Sequence, residues 1–163
     1  MASTQKKYIP ILVFILCLAL PLAIGGIGGF LTFQSVKTWY VTLNKPAFNP
    51  PNWIFGPVWT TLYILMGIAS FLVWQKRKES ALYKSAVAIY LIQLVLNLMW
   101  SYLFFYKQQI GWALAEIGVL LTMIIINAVV YYKINKTAGW LYLPYILWVS
   151  FASYLTYSIF ILN

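Results

Sequence analysis

Chemistry in this chain has to come from aromatic rings and amides, because most other reactive groups are missing. There is no histidine, one cysteine and only two acidic residues among 163. No imidazole is therefore present to ligate a haem iron, hold zinc or shuttle protons near neutral pH. The single Cys17 has no intrachain disulfide partner and reads as a small buried hydrophobe. No glycine-rich phosphate loop, nucleophile–base set or pair of carboxylates occurs. Glu79 falls in a basic loop and Glu116 inside an apolar run. The sequence argues against hydrolytic and metal chemistry, and we expect no metal site and no cofactor. What remains is 8 Trp, 13 Tyr and 10 Phe, with a few amides able to orient a ligand held among rings.

Spacing sorts those residues onto helix faces. Gln93, Asn97 and Ser101 recur at i, i+4 and i+8, with Trp100 and Phe104 adjoining. Amides facing lipid are costly, so this stripe is expected to face a bundle interior. Trp59, Tyr63 and Gly67 lie four apart on a second helix. Trp112, Glu116, Met123 and Asn127 share a broad face of a fourth, and Tyr145, Trp148, Ala152 and Leu155 align on a fifth. Together these faces predict a mostly aromatic cavity. Each feature also has a plainer reading. Tryptophans and tyrosines anchor helices at membrane interfaces, and Gln93 and Asn97 serve equally well as interhelical glue. Glu116 reads as a functional carboxyl or as a structural one near a helix start. The Gly25–Gly29 cluster permits close helix contact or ends the first helix, and Pro144 marks a kink or an initial turn.

The elements that must position these faces follow from composition. At 63% hydrophobic and 8% charged, the chain reads as an all-α integral membrane protein. Five apolar runs are long enough for a hydrocarbon core, which needs about 20 helical residues. They are placed at 8–31, 54–74, 85–106, 111–132 and 139–162, within one domain over 1–163. The first is expected to stay as a span, since its apolar part outruns a signal-peptide core and no small-x-small cleavage site follows. Between the first two runs lies a segment with Trp39, Tyr40, Phe48, Trp53, Phe55 and Trp59, stiffened by Pro46, Pro50 and Pro51. It is expected to fold back over the bundle as an aromatic, proline-rich lid. The N-terminus and two links carry Lys6, Lys7, Lys76, Arg77, Lys78, Lys84, Lys133 and Lys136, against Lys37, Lys45 and Lys107 opposite. The positive-inside rule then puts the N-terminus in the cytoplasm and the lid outside, assuming a bacterial inner membrane. The net charge of +9 is read as topology and headgroup attraction, with no nucleic-acid partner.

The run Trp39-Tyr40, Lys45-Pro46, Pro50-Pro51, Gly56-Pro57-Val58-Trp59-Thr60, Leu62-Tyr63, Met66-Gly67 resembles the signature of the tryptophan-rich sensory protein family, whose animal members are the translocator proteins (peripheral benzodiazepine receptors). Gln93, Asn97, Trp100 and Phe104-Phe105 resemble its third helix, and Leu143-Pro144-Tyr145 through Trp148 to Ala152 its fifth. The resemblance runs from about Gly26 to Asn163. It implies a five-helix transmembrane bundle, usually a homodimer in the lipid bilayer, with a pocket beneath the first loop that binds porphyrins and other hydrophobic small molecules. Carried onto this chain, the pocket would include Tyr40, Pro50, Trp59, Asn97, Trp100, Trp148 and Ala152, to which the amide stripe adds Gln93. Some bacterial members are implicated in light-dependent porphyrin degradation through two tryptophans that match Trp59 and Trp148. An indole against a photoexcited macrocycle is a candidate electron donor or trap for reactive oxygen.

This chain also departs from the family. Many relatives carry a basic residue after the tyrosine of the fifth helix, in a short pattern proposed for cholesterol contact. Here Leu155-Thr156-Tyr157 is followed by Ser158 and Ile159, which puts sterol binding there in doubt. Three functional classes remain: a tetrapyrrole-binding receptor or sensor, a light-dependent porphyrin-degrading enzyme, and a porphyrin or lipid transporter. The last is the weakest, since no internal repeat is visible and one membrane carboxyl is a poor ion-coupling relay. For the dimer, the small residues Ala81, Ser85 and Ala88 at the start of the third helix offer a candidate face.

Overall fold

Five membrane-length helices and their links make up residues 2–163, which a computed structural model describes, with side chains described from Ile9 onward. Helix α1 runs Ala2–Lys37, beyond the expected 8–31 at both ends, and the side chains of Lys6 and Lys7 fall outside the described set. The Gly25–Gly29 cluster does not end it. Inside a hydrocarbon core every backbone amide needs a partner in its own segment, so the glycines stay helical. The Thr32 hydroxyl adds a bond to the Gly28 carbonyl at 2.7 Å. A 3-10 turn at Tyr40–Thr42 opens the loop to α2 (Asn52–Gln75).

Helix α3 (Tyr83–Ser101) continues without a break into a π turn at Tyr102–Tyr106. The Lys107 amide reaches the Tyr102 carbonyl at 2.9 Å, five residues back. This widening was not expected from the helical spacing. It lets the adjacent rings of Phe104 and Phe105 both face inward, an arrangement that the 3.6-residue period alone disfavours. Helix α4 spans Ile110–Ile134. The fifth expected run is divided into α5 (Lys136–Trp140) and α6 (Leu143–Leu162), with Pro144 in the first turn of α6 as an initial turn residue. Asn135 caps α5 by accepting from the Ala138 amide at 3.1 Å. Gly139 lies so close to α4 that a Cβ there would meet Tyr132 Cβ at 2.5 Å.

The helices close into a ring. Helix α1 packs on α2 and α3, α3 on α4, α4 on α5 and α6, and α5 returns to α2. Helices α2 and α6 meet through side chains, with Phe55 edge-on to Trp148 at 5.8 Å and Trp59 edge-on to Tyr145 at 6.2 Å. Five helices are long and apolar enough to cross a membrane, and the protein is an integral, multi-pass membrane protein. Polar side chains in the core knit the ring. The Tyr63 hydroxyl donates to Asn97 Oδ1 at 2.6 Å and Asn97 Nδ2 donates to the Tyr145 hydroxyl at 2.9 Å, tying α2, α3 and α6 together. Asn127 donates to Tyr142 at 2.7 Å, and Ser70 pairs with Tyr131 at 3.1 Å. Such bonds hold transmembrane helices together where burial of apolar surface cannot.

Candidate functional site

The first loop folds back as expected. Tyr40 is buried, edge-on to Phe104 at 6.2 Å, and its hydroxyl donates to Asn49 Oδ1 at 2.7 Å. Burial pushes the Tyr40 phenol up to about 12. Lys45 Nζ crosses the loop to the carbonyls of Tyr40 at 2.7 Å and Leu43 at 3.0 Å. Phe48 stacks on Tyr154 of α6 at 5.2 Å. The loop is also fastened to the end of α6: the Asn44 backbone N–H donates to Asn163 Oδ1 at 2.9 Å, and Asn163 Nδ2 donates to the Asn44 carbonyl at 3.0 Å. Trp53 points away, 74% exposed, as an interfacial anchor would.

Beneath this lid is a cavity of about 540 Å³, within the range of small-molecule sites. Its walls come from α1, the start of α2, the π end of α3, and α6. Tyr40, Trp59, Trp100, Trp148 and Ala152 all line it, brought together from four segments distant in sequence. Trp59 stacks on Tyr63 at 5.7 Å and Trp100 on Phe104 at 5.3 Å, so the wall rings are held by neighbouring rings. Indole N–H groups of Trp100 and Trp148 are buried with no partner among the described residues. The lining is overwhelmingly carbon, relieved by Thr32, Asn52, Thr60, Ser101 and Thr156, with Lys37 at one edge.

Three expected site residues do not line the cavity. Asn97 sits behind Tyr63, its amide committed to the two phenols of the interhelical bridge. Gln93 is fully buried, and its amide nitrogen points to the Met66 sulfur at 3.6 Å. Both are placed as glue, the plainer of their two readings. Pro50 lies in the loop away from the cavity, its carbonyl accepting from Asn49 Nδ2 at 3.0 Å. Helix α4 supplies no wall either. Trp112 is 70% exposed, and Asn127 is buried at the other end of the core on Tyr142. Both oxygens of Glu116 are buried without a hydrogen-bond partner among the described residues, outside the cavity lining. Gly67 belongs to a helix contact: a Cβ there would meet the Cys17 carbonyl of α1 at 2.8 Å.

Helix α1 was absent from the expected wall and provides much of it. Gly25, Gly26, Gly28 and Gly29 all border the cavity. The signal was present in the glycine cluster, which periodicity of large side chains does not register. In α6, Leu155 and Thr156 line the cavity while Tyr157 is 48% exposed and faces away.

Comparison with known proteins agrees with this architecture. Residues 17–162 match the TspO/MBR family. The chain is 43% identical to a tryptophan-rich protein TspO of Archaeoglobus fulgidus over 144 residues, covering 87% of this chain and 91% of the relative. It is 41% identical to a tryptophan-rich protein TspO of Chlorobaculum tepidum over 157 residues, covering 94% and 97%. With the human translocator protein the identity is 38% over 123 residues, covering 74% and 72%. A five-span bundle, an aromatic cavity under the first loop and a match over almost the full length lead to one conclusion: this chain belongs to the TspO/MBR family.

Proposed function

We propose that this protein is a membrane receptor for protoporphyrin-type tetrapyrroles and related flat, hydrophobic molecules, held in the cavity under the first loop. One observation carries the reading: three indoles, Trp59, Trp100 and Trp148, from three different helices converge on one largely apolar space of about 540 Å³. Aromatic walls supply stacking surface for a planar macrocycle. The buried Tyr40 and the fastening of Asn44 to Asn163 support a lid that keeps bulk water from above. Occupancy would be sensed through the lid or through a homodimer contact, for which the exposed Ser85 and Ala88 on α3 offer one face. A bacterial inner membrane with the N-terminus in the cytoplasm is the setting we propose, on the distribution of lysine and arginine.

A second reading has its own support. Trp59 and Trp148, the pair singled out for photochemistry, border the same cavity. In that reading a photoexcited porphyrin takes an electron from an indole, or dioxygen sensitised by it attacks the macrocycle, and the ligand is consumed. Protoporphyrin titration of the purified protein, followed in the dark by tryptophan quenching and then in light by absorbance, separates the two. Saturable quenching with a stable spectrum supports the receptor. Protein-dependent loss of the porphyrin bands that disappears in Trp59→Phe and Trp148→Phe supports the enzyme. Absence of saturable quenching would refute both.

A further inference from the structure

The cavity is closed on most sides and open on one. Its α6 wall (Ala152, Leu155, Ile159) is buried, as is Phe104 of the π turn. Exposed lining residues concentrate instead on α1 and α2. On α1, Gly26, Gly29, Phe33 and Lys37 follow one another at helical spacing and are exposed, while the adjacent inner stripe of Gly28, Thr32 and Val36 is more covered. On α2, Asn52, Gly56 and Thr60 form a matching exposed stripe beside the inner Phe55, Trp59 and Tyr63. The two helices are in tight contact deeper down, where Gly67 meets Cys17 and Leu18 and Gly25 meets the Tyr63 ring. Towards the lid they part, and the gap lies within both candidate spans.

Glycines border that gap. A Cβ added at Gly26, Gly29 or Gly56 would find nothing within 4 Å. Close packing therefore does not require glycine at these positions, although glycine costs a helix interior about 1 kcal/mol relative to alanine. Gly118, on the outer face of α4, is the other open helical glycine away from this gap. At the lid end of the gap, the Lys37 ammonium lies 4.0 Å from the centre of the Phe33 ring. The salt bridge found among the described residues is Lys76–Glu79, so no carboxylate neutralises Lys37 there. The route from the water side is meanwhile fastened by Tyr40–Asn49 and Asn44–Asn163.

We propose that the cavity is loaded sideways from the bilayer, through the glycine-lined mouth between α1 and the start of α2, and that it takes amphipathic molecules whose anionic end rests against Lys37. The proposal rests on the reading of the cavity as a ligand site. A membrane-dissolved molecule would slide its apolar body between the helices and keep its carboxylate at the headgroup level, where Lys37 ends α1.

The test uses the full chain in phosphatidylcholine nanodiscs with protoporphyrin as the probe. Gly29→Leu and Gly56→Leu plug the mouth. By stopped-flow tryptophan quenching, association should slow about tenfold and dissociation should slow with it, since a plug obstructs both directions whereas a lost contact speeds release. Unchanged association, or faster dissociation, overturns the route. Lys37→Gln should abolish any preference for the free acid over its dimethyl ester, and an unaltered preference overturns the anionic contact. A second readout needs no porphyrin. In a Cys17→Ser background, Gly29→Cys should react with a maleimide carried on a lipid chain and resist a membrane-impermeant one. Preferential labelling from water, or none from either side, overturns the lateral mouth even if porphyrin proves not to be a ligand.

Discussion

Replacing Asn97 by leucine should separate stability from ligand affinity. The side chain holds two buried phenols at once, accepting from Tyr63 at 2.6 Å and donating to Tyr145 at 2.9 Å. Leucine shares the branched shape of asparagine but is bulkier, so the change removes the hydrogen bonds without opening a cavity. Interhelical hydrogen bonds in membrane proteins are worth about 0.6 kcal/mol on average and up to about 1.7. Two lost bonds, with two phenols left unpaired, put the cost at about 1–3 kcal/mol. For a chain of this size that lowers the midpoint by roughly 3–10 °C. The half-buried Cys17 thiol of α1 provides the readout, through a dye that fluoresces on reaction as the bundle opens. Protoporphyrin affinity should change less than about threefold, because Tyr63 stands between Asn97 and the cavity and truncations outside a contact seldom exceed this. A tenfold affinity loss at unchanged stability would refute the reasoning, and would return Asn97 to the role of ligand contact. The cycle with Tyr145→Phe should give a coupling of about 0.6–1.7 kcal/mol.

Other substitutions test other parts of the bundle. Gly67→Ala should destabilise by about 1–3 kcal/mol in the same thermal assay, since its Cβ would press on the Cys17 carbonyl at 2.8 Å. Gly29→Ala, with nothing within 4 Å, should be neutral or stabilising by up to about 1 kcal/mol, and equal losses at both sites would contradict the packing described. The Tyr40 phenol, pushed up to about 12 from 10 by burial, stays protonated in the folded loop while the unfolded chain ionises. Its contribution to stability is therefore complete below about pH 10 and lost between about 10 and 12. Melting between pH 9 and 12 should show this fall in the parent protein and a shallower one in Tyr40→Phe, and parallel curves would remove Tyr40 as the cause. Trp59→Phe and Trp148→Phe should keep most porphyrin quenching, and in the enzyme reading they stop the light-driven loss of the porphyrin bands.

Much of the bundle was legible before any coordinates because the bilayer imposes it. Runs of about 20 apolar residues have to be helices there, and the boundaries of α2 and α4 fall within about two residues of those expected. Boundaries failed where a local rule from soluble proteins was applied. Glycines that would end a helix in water leave α1 intact, and Leu141–Tyr142 break the last run where composition shows no interruption. The π turn at Tyr102–Tyr106 was invisible, since one extra residue per turn leaves no mark on hydropathy.

The cavity was legible in kind and only partly in membership. Which residues were aromatic and which helical face they shared could be read from spacing, and Trp59, Trp100, Trp148 and Ala152 follow from that. Depth could not be read. Gln93 and Asn97 share the inward stripe with Trp100, yet Asn97 lies where three helices touch, Gln93 lies against Met66 of α2, and the indole lies where the helices part. Sequence alone determined the class, the number of spans and the aromatic character of the site, because solvation acts on each segment separately. The tertiary structure decided which inward residues meet one another and which meet open space. It also made a wall, and on our proposal a mouth, out of glycines in α1, because packing distance between helices is a property of pairs that no single segment records.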